Sequence, residues 1–154
     1  MRITTMVLVL VATSCLAALA PGGGETAAEA VAREWYMAVL VGKKDRVDDL
    51  TRVPFVCAEA VLRTKEQLQQ YILAPIGARK PDEKLADLKP EMIKVKTVAK
   101  PKSADPRMTQ WLDEAGARVF VEVSIGKHTQ VLYLTKGNKP KVAGMGKGSG
   151  KSDE

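Results

Sequence analysis

Apolar residues recur at helical spacing near the start of the chain. Ala28, Val31, Trp35, Ala38 and Val39 fall on one stripe, Tyr36 and Leu40 widen it, and Gly42 follows as a stop. The pattern predicts a long helix over residues 25–41, with a stripe broad enough to lie in a concave sheet. Asp45 is expected to cap a short second helix through about Arg52, with Val47 and Leu50 facing inward and Pro54 ending it. Residues 55–62 read as a short strand. Thr64-Lys65-Glu66-Gln67 has the form of a capping box, opening a third helix through about Leu73 whose buried face is Leu68, Tyr71 and Ile72.

The second half changes period. Residues 74–90, rich in Pro, Lys and Asp, are expected to form a linker. Residues 92–99 then alternate, with Ile93 and Val95 on one side and Lys94 and Lys96 on the other, as in a strand with one wet face. Asp105-Pro106 supplies a cap and a first-turn proline, and Met108, Trp111, Leu112 and Ala115 follow at helical spacing before Gly116. Residues 117–125 are the clearest strand: Val119, Val121, Val123 and Ile125 occupy one face, and Arg118, Phe120, Glu122 and Ser124 the other. Gly126-Lys127 turns the chain into a returning strand over residues 128–135, Gly137-Asn138 turns it again, and residues 141–145 add a last strand. The remainder, residues 146–154, is glycine, lysine and serine with a terminal acidic pair, a tail too polar to fold by itself. The expected fold class is therefore α+β: a curved antiparallel sheet wrapped around amino-terminal helices.

The amino terminus supplies an address. Met1-Arg2, the apolar run Met6–Ala12 and the small residues from Cys15 to Ala20 read as an export signal over residues 1–20, and Pro21-Gly22-Gly23-Gly24 reads as a flexible spacer. Thr4, Thr5, Thr13 and Ser14 interrupt the run, which is short of the roughly 20 apolar residues of a spanning helix. Cleavage near Ala17–Ala20 would release a secreted or periplasmic protein. Alternatively, Ala12-Thr13-Ser14-Cys15 resembles the bacterial lipobox, which makes Cys15 a lipidation candidate and the product an envelope lipoprotein. Either way the membrane is met only through the signal or the lipid, and one domain over residues 25–145 remains, long enough to bury a core.

Charge and cysteine content narrow the field further. The formal net charge of +6 falls by one when Arg2 leaves. The lysines are mixed with Asp and Pro and are not interleaved with aromatic residues, so no specific nucleic-acid surface is expected. Without Cys15, Cys57 has no partner for an intrachain disulfide, and its apolar neighbours favour a buried, unreactive thiol. His128 is the only histidine, which removes the ligands and bases that zinc sites and histidine triads require; no metal or other cofactor is expected. Asp48-Asp49 and Asp113-Glu114 place neighbouring carboxylates in different helical directions and read as solubilising charge. The stretch from Gly144 to Ser152 ends in Gly-Lys-Ser but has Met145 where a phosphate-binding loop needs its first glycine.

The order of elements resembles the nuclear transport factor 2-like superfamily of cone-shaped domains. The resemblance is carried by residues 35–50, where a long helix runs into Gly42-Lys43-Lys44-Asp45 and a short helix; by Val53-Pro54-Phe55; by residues 64–72; and by the closing strands over residues 116–145. Residues 100–116 are an extra segment relative to that pattern, and Pro140-Lys141-Val142 stands where the family usually has an aromatic residue. The resemblance implies a conical pocket between sheet and long helix, with Trp35, Tyr36, Tyr71, Phe120, Glu122 and Tyr133 as pocket candidates. An enzyme of this fold would need a general base within hydrogen-bond reach of its proton, for which Glu122 with Tyr133 and Tyr36 are the candidates. A solvent-facing glutamate and amphipathic core tyrosines are the plainer readings, so noncatalytic binding of a small apolar ligand or a protein partner, with a homodimer through the sheet conceivable, is the first expectation. An enzyme acting on a small substrate is the second, and an electrostatic binder at the cell envelope the third.

Overall fold

The computed structural model describes residues 24–80, 85–103 and 105–148. The expected export signal and Cys15 lie outside the described residues. So do Pro21 to Gly23 of the spacer, part of the linker and the end of the tail.

The chain opens with α1 (Ala27–Val41), fixed at its start by a capping box that the apolar pattern does not reveal. The Thr26 hydroxyl accepts from the Glu29 amide at 3.1 Å, and the Glu29 carboxylate accepts from the Thr26 amide at 3.0 Å. The same carboxylate accepts from the amide and hydroxyl of Thr97, at 3.1 and 2.8 Å, which pins the helix start to a strand far along the chain. At the other end Gly42 adopts φ +74° and donates to Val39, while the Lys43 amide reaches the Ala38 carbonyl. This left-handed ending is the one glycine accepts without a Cβ clash, and it turns the chain sharply into α2 (Lys44–Leu50). Asp45 lies in the first turn of α2 and does not cap it, because the helix already begins at Lys44 after an uncapped Lys43.

Strand β1 (Thr51–Val56) starts earlier than expected and contains Pro54. Its parallel ladder with the last strand is registered at Thr51 and Val56 and irregular between them, where Pro54 has no N–H to offer. A break follows before β2 (Val61–Leu62), so the single strand expected over residues 55–62 is a short hairpin. The second capping box forms as read, with Thr64 accepting from the Gln67 amide at 3.2 Å, and starts α3 (Lys65–Leu68). The helix then widens to π geometry over Gln69–Leu73 and continues as α4 (Ala74–Gly77) instead of ending near Leu73. Pro75 accounts for the widening: a ring there would strike the carbonyl four residues earlier, and the wider turn accommodates it.

Strand β3 (Lys94–Val98) is an edge strand with Lys94 and Lys96 exposed. Helix α5 (Pro106–Glu114) is capped by Asp105, which accepts from the Arg107 amide at 2.9 Å. Strands β4 (Ala117–Ile125), β5 (His128–Thr135) and β6 (Val142–Lys147) form the closing meander.

The fold is α+β, with one curved, unclosed six-stranded sheet in the order β2-β1-β6-β5-β4-β3. The sheet is mixed instead of wholly antiparallel: β6 inserts between β5 and β1, antiparallel to the first and parallel to the second. One face carries α1, which packs against β3, β4, β5 and β6. The main core lies there, around Trp35, Phe55, Val121, Val123, Leu132 and Leu134. The opposite face is covered by α5, whose Leu112 and Ala115 pack with Val56, Phe120, Val131 and Tyr133. Helix α5 thus covers apolar surface on the side of the sheet away from α1.

Strand β6 also runs past residue 145, where the polar tail was expected to begin. Its Gly144 and Gly146 are not loop residues, since the ring of Tyr133 lies across both. A Cβ on Gly144 would stand 2.7 Å from that ring, and one on Gly146 would stand 2.0 Å from its hydroxyl oxygen. The aromatic ring fills the space that two side chains would otherwise take, which lets a glycine-rich segment serve as a strand between β1 and β5.

Candidate functional site

Strand alternation divides the expected pocket residues. Trp35, Tyr36 and Tyr71 line an open cleft of about 920 Å³ bounded by α1, the α3–α4 segment and the β4–β5 turn with the end of β6. Phe120, Tyr133 and, by its position between Val121 and Val123, Glu122 lie on the opposite face of the sheet, on the side of α5. The expectation that these side chains share one cone with the helix aromatics is thus corrected. A strand has period two, so the residues that bring Val119, Val121, Val123 and Ile125 onto α1 turn Phe120 and Glu122 away from it. Phe120 and Tyr133 meet edge to face, with ring centroids 5.6 Å apart, as core residues of that second layer. Glu122 is half-buried, with Lys96 opposite it in one ladder and Val131 in the other.

Within the cleft, Trp35 forms the most deeply fixed wall. Its indole N–H donates to the Thr51 hydroxyl at 2.8 Å, that hydroxyl donates to the Val47 carbonyl at 2.5 Å, and its ring stacks near Phe55 with centroids 6.4 Å apart. The relay ties α1, α2 and β1 together and leaves no indole hydrogen to offer a ligand. Tyr36 is nearly covered, and burial pushes its phenol above the usual tyrosine range; the same cause raises Tyr133 and the half-buried Cys57 thiol. Each shift disfavours the anion, which is the opposite of what a general base or an activated nucleophile requires.

Tyr71 departs from its expected place. It was assigned to the buried face of the third helix, yet it is 59% exposed at the mouth of the cleft, while Leu68, Ile72, Leu73 and Ile76 face inward. The π turn explains the change, because an extra residue per turn shifts every following side chain round the helix axis. Val39, Leu40, Ile125 and Met145 complete the apolar wall and are only half-buried, although they belong beside the main core.

The rim is basic. Arg79, Lys127, His128 and Lys147 border the cleft, and among the described residues no Asp or Glu does. Sequence reasoning placed His128 on the surface without connecting it to a site and read the lysines as dispersed. The missing signal is three-dimensional, since Arg79 follows α4, Lys127 and His128 sit at a hairpin turn and Lys147 ends the last strand. The acidic pair Asp113-Glu114 is engaged elsewhere: Asp113 faces Arg118 at 3.2 Å and Glu114 faces Arg63 at 2.6 Å. Among the described residues no group of three His, Cys, Asp or Glu is placed to hold a metal ion, and no helix is long and apolar enough to cross a membrane.

No family model, curated protein or solved structure matches this chain.

Proposed function

We propose that this chain is an exported, noncatalytic binding domain of the nuclear transport factor 2-like kind, taking a small apolar ligand in the cleft between α1 and the α3–α4 segment. The observation that carries the reading is the state of the cleft wall. Val39, Leu40, Ile125 and Met145 are left half-open and Tyr71 more than half-exposed, around about 920 Å³ of space. A soluble chain that leaves contiguous apolar surface concave and uncovered has a use for it, and the volume lies within the range of small-molecule sites. The order of elements and the long helix laid across a curved sheet support the family reading. The apolar run and small residues of the first twenty positions support export, by cleavage or through lipid on Cys15.

The catalytic alternative finds less support. Glu122 and Tyr133 stand on the face away from the cleft, and burial raises the phenol of Tyr36, one of the two tyrosines that line it. Titration with the neutral fluorophore Nile red tests the binding reading. Saturable binding is expected, lost when Ala58, an exposed residue of the cleft wall, is replaced by Trp. Absence of saturable binding, or binding that Ala58→Trp leaves unchanged in a protein of unaltered unfolding midpoint, would reject it.

A further inference from the structure

The rim and the wall of the cleft make different chemical demands, and together they select a ligand class. The wall offers alkyl and aromatic surface from Val39, Leu40, Tyr71, Ile125 and Met145. The rim carries Arg79, Lys127, His128 and Lys147, and among the described residues none of these side chains joins an ion pair. The described ion pairs lie elsewhere on the surface, at Arg33, Arg46, Arg63, Arg107 and Arg118. Arg79, Lys127 and Lys147, on a concave site with no acid among its described lining residues, focus a positive potential at its mouth.

We infer that the cleft takes an anionic amphiphile: an alkyl chain lying along the apolar wall, with a single anionic head group at the basic rim. This deepens the proposed function and rests on it. A wholly neutral ligand would leave the rim unused, and the rim repels a quaternary ammonium ligand, for which Tyr71 alone of the aromatic residues Trp35, Tyr36 and Tyr71 offers an open ring face, the other two being 2% and 7% exposed. Arginine provides the planar fork that pairs with carboxylate or phosphate oxygens through two N–H groups, and the lysines supply mobile point charges. All these side chains are exposed, so each contact is screened and the preference is additive and modest, on the order of tenfold in total at low salt.

The test compares ligands of equal chain length on the full chain: dodecanoate, dodecyl phosphate, dodecanol and dodecyltrimethylammonium, each titrated by displacement of Nile red at low and at high salt. Dodecanoate or dodecyl phosphate should bind about tenfold more tightly than dodecanol, with the gap closing as salt rises and the ammonium ligand weakest. The ratio between the two anions distinguishes a carboxylate from a phosphate head. The combined Arg79→Glu and Lys127→Glu substitution should abolish the preference for anions while dodecanol still binds, and Arg79→Gln with Lys127→Gln should do so in part if the reversed charges disturb folding. Equal affinities for dodecanol and both anions would overturn the inference and leave the apolar cleft standing. An anion preference that survives both charge variants would also overturn it. If none of the four ligands displaces the fluorophore, the cleft reading itself fails.

Discussion

Gly146→Ala isolates the contact that lets β6 be a strand. A Cβ built on Gly146 lies 2.0 Å from the Tyr133 hydroxyl oxygen and 2.9 Å from the carbon that bears it, whereas ordinary non-bonded contacts are about 3.5–4.0 Å. The ring cannot simply swing aside. Tyr133 is 4% exposed, its far edge is against Gly144, and Phe120 closes on it edge to face. Overpacking of this kind costs about 1–3 kcal/mol, against which a lost glycine returns about 0.4–1 kcal/mol by stiffening the unfolded chain. A net loss of about 1–2 kcal/mol is expected. Removing the offending oxygen with Tyr133→Phe should relieve most of it, so the two substitutions should couple favourably by about 1 kcal/mol in a double-mutant cycle. Gly144→Ala is the control, because its Cβ meets the Val56 carbonyl oxygen at 2.5 Å and Tyr133→Phe removes nothing near it except the distant hydroxyl. The assay is urea unfolding followed by tryptophan fluorescence, with Trp35 buried beside Phe55 as reporter, comparing midpoints at a common slope. If Gly146→Ala unfolds at the parent midpoint, or if Tyr133→Phe relieves Gly144→Ala equally well, the ring does not occupy the space described here.

Other expectations follow from the same geometry. Leu112→Ala, in the helix that covers the second sheet face, should lose about 2–5 kcal/mol in the same unfolding assay; a negligible change would mean that α5 does not seal that face. Thr64→Ala removes the hydroxyl that accepts from Gln67 and should cost about 1 kcal/mol, with Thr64→Ser restoring most of it. Burial raises the Glu29 carboxyl, but hydrogen bonds from Thr26 and Thr97 outweigh it, leaving the group below its ordinary value of 4.5. Its contribution is therefore present above that ordinary value and is lost as pH falls through the lowered folded value, so unfolding midpoints of Glu29→Gln and the parent should converge in acid and separate near neutrality. Glu122→Gln should leave binding in the cleft unchanged, read by Nile red titration, because the carboxylate stands on the other side of the sheet.

The long helix, its glycine stop, the second capping box, the proline-started α5 and the closing meander were all legible in the chain, because each depends on residues a few positions apart. Periodicity even assigned the faces of β4 correctly, with the valines on one side and Phe120 and Glu122 on the other. What it could not supply was which of those faces meets α1. That choice rests on contacts between residues far apart in sequence, such as Thr97 with Glu29, and on α5 closing over the other side. The π turn before Pro75 put Tyr71 at the cleft mouth, and the ring of Tyr133 lies against Gly146, which continues the last strand to Lys147 where composition alone began a tail. The basic rim is the clearest case: Arg79, Lys127, His128 and Lys147 are scattered along the chain and become one feature because the sheet order brings a hairpin turn, the last strand and a helix end to the same opening. Sequence sets the local pairing of amide, cap and side chain, whereas a site made of separate segments exists only once the burial of both sheet faces has fixed where those segments end.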